Sequence, residues 1–261
     1  MKIVIFICLV ATSLAAPAAE KPIVDDSPVA LFAHPHQASL QVQSLGTWRH
    51  ICGAVIINIS KILTAAHCLQ GQNASRMRVE VGALNLYEAP NAYQQTVGVK
   101  SFVTHDSYNG NGAGIPNDIG IIKLLTPVTL NDNVQVADLA PKGSSFANSK
   151  CVITGWGQTS DSGSGSAQLL EAKITKITTD ECQSRWSEQN ITIKHICVYE
   201  AAASSGSPPS ACIGDSGGLM MCGNNFELLT GIASWGVSNC SENDPSVYTR
   251  VSEYMEWLGS R

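Results

Sequence analysis

The sequence predicts an all-β fold, a sandwich or barrel of short strands, followed by one C-terminal helix. Short apolar and β-branched runs recur between Gly, Asn, Ser and Pro clusters, as regular strands separated by turns require. With 44% of its residues hydrophobic and only 14% charged, the chain can bury one or two sizeable cores and is not disordered. Helical spacing of apolar residues occurs at the C-terminal end.

Taken in order, residues 1–15 combine Lys2, the apolar run Ile3–Val10 and the small-residue end Ser13-Leu14-Ala15, the pattern of a secretory signal peptide cleaved after Ala15 or Ala18. The run falls short of the roughly 20 residues a membrane span needs, and no later segment is long enough. Ala54-Val55-Ile56-Ile57 is an apolar run, and Arg78-Val79-Glu80-Val81-Gly82 and Leu229-Thr230-Gly231-Ile232-Ala233-Ser234-Trp235 read as strands. The Gly/Ser tract from Ser160 to Ser166 reads as a surface loop bordering any cleft nearby. At the end, Val251, Tyr254, Met255 and Leu258 share a helical face and Ser252 is the expected cap.

The formal net charge of -5 is spread without long like-charge blocks, which argues against a nucleic-acid surface and a basic membrane-binding face. Of nine cysteines, Cys8 leaves with the signal, and eight remain in a chain bound for an oxidising compartment. Four disulfides are expected, although spacing alone does not select the pairing. A zinc site is the alternative use of these cysteines, and no Cys-x-x-Cys pair supports it.

Chemistry concentrates in Cys212-Ile213-Gly214-Asp215-Ser216-Gly217-Gly218, where glycines on both sides of Asp-Ser free the backbone to expose one hydroxyl and aim neighbouring amides. Serine is a weak nucleophile, so a histidine must take its proton and a carboxylate must hold that histidine's tautomer. Candidates are His67 in Thr64-Ala65-Ala66-His67-Cys68 and Asp118 in Asn117-Asp118-Ile119-Gly120-Ile121-Ile122-Lys123-Leu124. These three segments, in the order His, Asp, Ser, resemble the chymotrypsin-like serine proteases. Cys151-Val152-Ile153-Thr154-Gly155-Trp156-Gly157, Ser234-Trp235-Gly236 and Pro245-Ser246-Val247-Tyr248-Thr249-Arg250-Val251 extend the match from about Ile23 to the C-terminus.

The resemblance implies two six-stranded antiparallel β-barrels packed face to face, residues 23–137 and 138–261, with the active site between them and residues 16–22 as a short propeptide. It implies disulfides Cys52–Cys68, Cys151–Cys222, Cys182–Cys197 and Cys212–Cys240. The backbone amides of Gly214 and Ser216 would form the oxyanion hole, and Ser234-Trp235-Gly236 would pair with an extended substrate. Ser210 stands where trypsin-like members carry an aspartate, so a cationic side chain would lack its counter-charge. With Gly236 at the pocket mouth and Ser246 at its base, this is similar to chymotrypsins and the elastase-2 type. Cleavage after Phe, Tyr, Leu or Met is expected, in a secreted, digestive, monomeric enzyme.

Expected partners are protein and peptide substrates, protein inhibitors and an activating protease, with no cofactor, nucleic acid or membrane. Activation departs from the family pattern. Lys21-Pro22-Ile23-Val24-Asp25-Asp26 replaces the usual basic residue followed by Ile-Val-Gly-Gly, yet a freed Ile23 amine would still pair with Asp215. That segment alone favours the rival reading, a silent protease homologue acting as a binding or regulatory protein. An esterase is disfavoured, because its nucleophile elbow precedes its histidine in the chain. His34-Pro35-His36 reads as exposed surface and not a metal site, and Ala83 replaces the first carboxylate of the family's calcium loop. Asn58, Asn73, Asn190 and Asn239 each begin a glycosylation acceptor pattern.

Overall fold

The computed structural model describes residues 27–158, 165–200, 215–236 and 244–261. The proposed signal peptide and propeptide, Ile23, Ser210, Cys212, Gly214, Asn239 and Cys240 lie outside these residues. After a two-residue strand β1 (Ser27–Pro28), the chain forms β2 (Gln37–Ser44), β3 (Thr47–Asn58), β4 (Lys61–Thr64), β5 (Met77–Val81), β6 (Gln95–Thr104) and β7 (Gly120–Leu124). These six close into an antiparallel barrel in the order β2-β3-β4-β7-β6-β5. The β2–β3 hairpin turns on Leu45-Gly46, both at positive φ (52° and 82°), the handedness that matches the twist of the flanking strands.

The second half contains β8 (Asp138–Leu139), β9 (Lys150–Gly155), β10 (Leu170–Thr175), β11 (His195–Val198), β12 (Leu219–Cys222), β13 (Leu228–Trp235) and β14 (Ser246–Arg250). Together with β1 they make an eight-stranded sheet in the order β1-β10-β9-β12-β13-β14-β11, with β8 parallel to β13. At its ends Tyr199 N donates to Thr175 O (2.9 Å) and Ile177 N to Cys197 O (3.0 Å), so the end of β10 meets β11. Along the connection between the halves, Ala137 N donates to Ile56 O on β3, whereas Ala140 N donates to Leu229 O on β13.

Among the described residues three disulfides are formed, Cys52–Cys68, Cys151–Cys222 and Cys182–Cys197, in the pairing the resemblance implies. The first barrel's interior, including Leu40, Ile56, Leu63, Val79 and Ile121, runs into Leu219, Met221, Leu229 and Ile232 of the second sheet. Val251, Tyr254 and Leu258 from the C-terminal segment seal the same core, so the two halves share buried surface.

Two helical expectations need correction. Ser252 does not cap the final helix: Val251–Tyr254 forms a 3-10 turn directly off β14, Ser252 is buried inside it with no hydrogen-bond partner for its hydroxyl among the described residues, and α-helix follows only over Met255–Gly259. A further helix, α1 (Thr179–Arg185), was not expected; the Thr178 hydroxyl caps it by accepting from Glu181 N at 3.1 Å.

The His34-Pro35-His36 stretch is also not simple surface, since neither histidine is exposed and the His34 side chain is mostly buried. His34 Nε2 lies 2.5 Å from Glu171 Oε2, and His36 Nε2 is buried without a partner among the described residues. Burial, and then the neighbouring His34, lowers the His36 pKa from the usual 6.5 to about 4. The folded state therefore rejects a proton that the unfolded chain accepts. Stability is full above about pH 6.5 and falls as pH drops toward 4, by up to about 3 kcal/mol from this group. Urea unfolding at pH 7, 5 and 4 should show this fall, and His36→Asn should flatten it.

Candidate active site

β4 ends at Thr64 and β7 begins at Gly120, and these two residues pair, so the segments following β4 and preceding β7 emerge at the same end of the barrel. Ala65 and Ala66, both fully buried, let the chain pass close to β7 before a tight turn presents His67. Gly120 stands opposite: a Cβ there would fall 2.6 Å from Leu69 Cδ1 and 3.2 Å from Val103 O, so the Leu69 side chain would have to shift. Asp118 is fully buried, and Oδ1 accepts from His67 N at 2.9 Å while Oδ2 accepts from His67 Nδ1 at 2.7 Å. A carboxylate only accepts, so Nδ1 carries the ring proton and Nε2 is the basic nitrogen. The imidazole is 30% exposed, and Nε2 lies 3.6 Å from Cys68 Sγ of the adjoining disulfide.

The second half reaches the same carboxylate. Ser234 Oγ, on β13, donates to Asp118 Oδ2 at 2.6 Å, and Thr249 Oγ1, on β14, donates to Asp118 main-chain O at 2.7 Å. Three donors thus satisfy a buried charge that would otherwise be costly. Next to it, Asn117 Oδ1 accepts from Lys194 Nζ (2.9 Å) and from the Tyr254 hydroxyl (3.2 Å). Burial, and then the Asp118 charge, push the Tyr254 pKa up, so this hydroxyl keeps its proton and donates.

Ser216 lies at the first central position of a turn closed by Gly218 N to Asp215 O at 2.8 Å, with Gly217 at φ 74° in the second. The Ser216 carbonyl accepts from Gly53 N on β3 at 2.8 Å, and Gly217 N donates to Ala233 O on β13 at 2.8 Å. No side chain fits at Gly217, where a Cβ would meet Thr64 Oγ1 at 2.2 Å and Gly53 O at 2.6 Å, with Cys68 Sγ at 3.2 Å. The serine loop is therefore clamped against the strand and disulfide that adjoin His67. Asp215, beside it, is buried, and its Oδ1 accepts from Gly157 N at 2.9 Å. Gly155 and Gly157 make room for it, since a Cβ on either would lie 1.7 Å or 2.6 Å from the carboxylate.

Trp235 and Gly236 border an open cleft of about 450 Å³ that Ile115, Glu188 and Gln189 line from the other side. Trp235 is fixed edge-on to Trp186 at 5.0 Å, and its Nε1 donates to Gly114 O at 3.0 Å. Gly236 faces Ser246 across a gap: a Cβ at Gly236 would lie 3.7 Å from Ser246 Cα and 3.9 Å from its Oγ. Among the described residues, the one His/Cys/Asp/Glu group within ligand distance is Cys52, His67 and Cys68, whose two cysteines are joined to each other.

The fold thus brings His67 and Ser234 onto Asp118 and ties Ser216 and Asp215 to neighbouring strands. The sequence marks Ser234 only as a backbone-pairing residue, and its hydroxyl contact with Asp118 comes from the fold. Nothing in the local pattern signals a partner 116 positions away.

The family model described as Trypsin matches residues 23–258. The chain is 37% identical over 257 residues to a chymotrypsin-like serine proteinase of Haliotis rufescens, covering 97% of this chain and 96% of that protein. It is 36% identical over 216 residues to a trypsin of Sus scrofa (82% and 87% covered). It is 36% identical over 230 residues to chymotrypsin-like elastase family member 1 of Rattus norvegicus (87% and 84% covered).

Proposed function

The chain belongs to the trypsin family and is a serine endopeptidase, and on that premise we propose that it is secreted and digestive and cleaves peptide bonds after Phe, Tyr, Leu and Met. The reading is carried above all by the His67 Nδ1–Asp118 Oδ2 bond of 2.7 Å, which fixes the tautomer a general base needs. Ser216 Oγ attacks the scissile carbonyl while Nε2 of His67 takes its proton, and the imidazolium then gives that proton to the leaving amine. Water repeats the sequence on the acyl-enzyme. Asp118 orients the ring and stabilises its charged form, and the amides of Gly214 and Ser216 hold the oxyanion.

Specificity follows from Ser210, which brings no carboxylate, and from Gly236, which presents no side chain toward Ser246. A cationic side chain entering this pocket loses water without gaining a counter-ion, whereas an apolar one gains by leaving water. Among apolar side chains, each methylene shifts the transition state by only about 1 to 3 kcal/mol, so selection among Phe, Tyr, Leu and Met is graded. Secretion is supported by the N-terminal pattern of residues 1–15 and by the disulfides. Among the described residues no helix is long and apolar enough to cross a membrane. Activation is by another protease freeing Ile23, whose amine pairs with Asp215. We read the meeting of β10 and β11 as closing a second six-stranded barrel, with the two domains divided at residues 137/138.

The test is hydrolysis of matched peptides with Phe, Leu, Ala or Arg before the scissile bond, by secreted protein of determined N-terminus, beside Ser216→Ala. Phe and Leu should turn over fastest, Ala weakly and Arg least, and the control should be inactive. Faster turnover of Arg than of Phe and Leu sinks the pocket assignment. Silence from protein that begins at Ile23 favours the silent homologue.

A further inference from the structure

Asn117 is the residue before Asp118, and its backbone is left-handed, with φ at 60°. Among non-glycine residues Asn accepts this region most readily, because its short carboxamide can hydrogen-bond locally. Here every polar atom of the side chain is used. Oδ1 accepts from Lys194 Nζ at 2.9 Å and from Tyr254 OH at 3.2 Å, and Nδ2 donates to Ser107 O at 2.9 Å. The main-chain carbonyl of Asn117 accepts from Ile119 N at 2.9 Å, across Asp118. Lys194 is held in turn, its ammonium 5.4 Å from the Tyr254 ring and its carbonyl accepting from Arg250 N at 2.8 Å.

Resting on the catalytic assignment above, we propose that Asn117 is a positioning residue: tethered from the second half by Lys194 and Tyr254, it locks the left-handed turn that aims the Asp118 carboxylate at His67. The carboxylate has no slack, since its oxygens already serve His67 N, His67 Nδ1 and Ser234 Oγ. A rotation at residue 117 would move all three contacts together. Lys194 precedes β11 and Tyr254 closes the 3-10 turn after β14, so the seating of these segments reaches Asp118 through this carboxamide, beside the direct bonds from Ser234 and Thr249. Glycine would accept the dihedral without the tethers, and alanine would have neither.

The test compares Asn117→Ala, Asn117→Gly, Lys194→Ala and the Asn117→Ala/Lys194→Ala pair by active-site titration, kcat and KM per titrated site, the pH profile of kcat/KM, and thermal midpoint. Asn117→Ala should lower kcat about tenfold or more with KM within about twofold, as small misplacements of a reacting constellation do. It should also move the acid limb of the profile to lower pH, because a displaced carboxylate stabilises the imidazolium less. Asn117→Gly should recover only part of the loss, and Lys194→Ala should add little once the carboxamide is gone. A lower midpoint and titre with unchanged kcat per site and unchanged acid limb would overturn the proposal, as would full recovery by glycine. The His67 Nδ1–H proton resonance, recorded in Ser216→Ala with and without Asn117→Ala, separates the two claims: it should shift with Asn117 whether or not the unmodified enzyme hydrolyses the peptides, and an unmoved resonance overturns the role of Asn117 alone.

Discussion

Asp118→Asn is expected to lower kcat by about four orders of magnitude with the fold intact, the loss known for this substitution in the Ser-His-Asp arrangement. The reason lies in the direction of the donors. His67 N, His67 Nδ1 and Ser234 Oγ all point at the carboxylate, and an amide can accept through one atom only. Its NH2 group, turned toward the ring, forces Nδ1 to accept and leaves the proton on Nε2, so the base can no longer take a proton from Ser216. Peptide hydrolysis from pH 6 to 10, with thermal unfolding alongside, checks this. A loss of less than tenfold at neutral pH would show that Asp118 does not set the tautomer.

Gly217→Ala is expected to be nearly as damaging by a different route. The added methyl would meet Thr64 Oγ1 at 2.2 Å and Gly53 O at 2.6 Å, and backbone cannot swing aside as a flexible side chain does. The residue must also hold φ at 74°, which alanine resists. Strain and overpacking together should cost roughly 3 kcal/mol or expel the turn from its seat. In the second case Ser216 is no longer held by Gly53 N, and titratable active sites disappear while the barrel stays folded. Urea unfolding and active-site titration distinguish the two results. Wild-type values in both would mean that the serine turn does not depend on this close approach.

The residues expected to carry the chemistry were legible because each lies in a short motif whose chemistry is local: His67 after an apolar strand, Asp118 before one, and Ser216 among glycines. Long-range use of a side chain was not legible. Ser234 and Thr249 bind Asp118 across the two halves, and no spacing along β13 or β14 encodes that meeting. Helix α1 buries only Cys182, so it shows no apolar period, although Thr178 followed three positions later by Glu181 is a capping signal that would have found it. Ser252 misled in the opposite way: a good capping residue by type, it is buried within a 3-10 turn that leaves β14 without a break. Strands of two residues, such as β1 and β8, are too short for alternation to mark.

A ribosome delivers this chain N-terminus first. The barrel of residues 37–124 can be complete, with His67 hydrogen-bonded to Asp118, before Ser216 has been translated. Ser234, Thr249 and Tyr254, which hold Asp118 and Asn117 from the far side, arrive still later. On the proposed assignment, a truncated or stalled product therefore carries a base without a nucleophile, and a fragment of the second half carries a nucleophile without a base. On that same assignment neither piece alone hydrolyses a peptide, and activity waits for the last strands to be made.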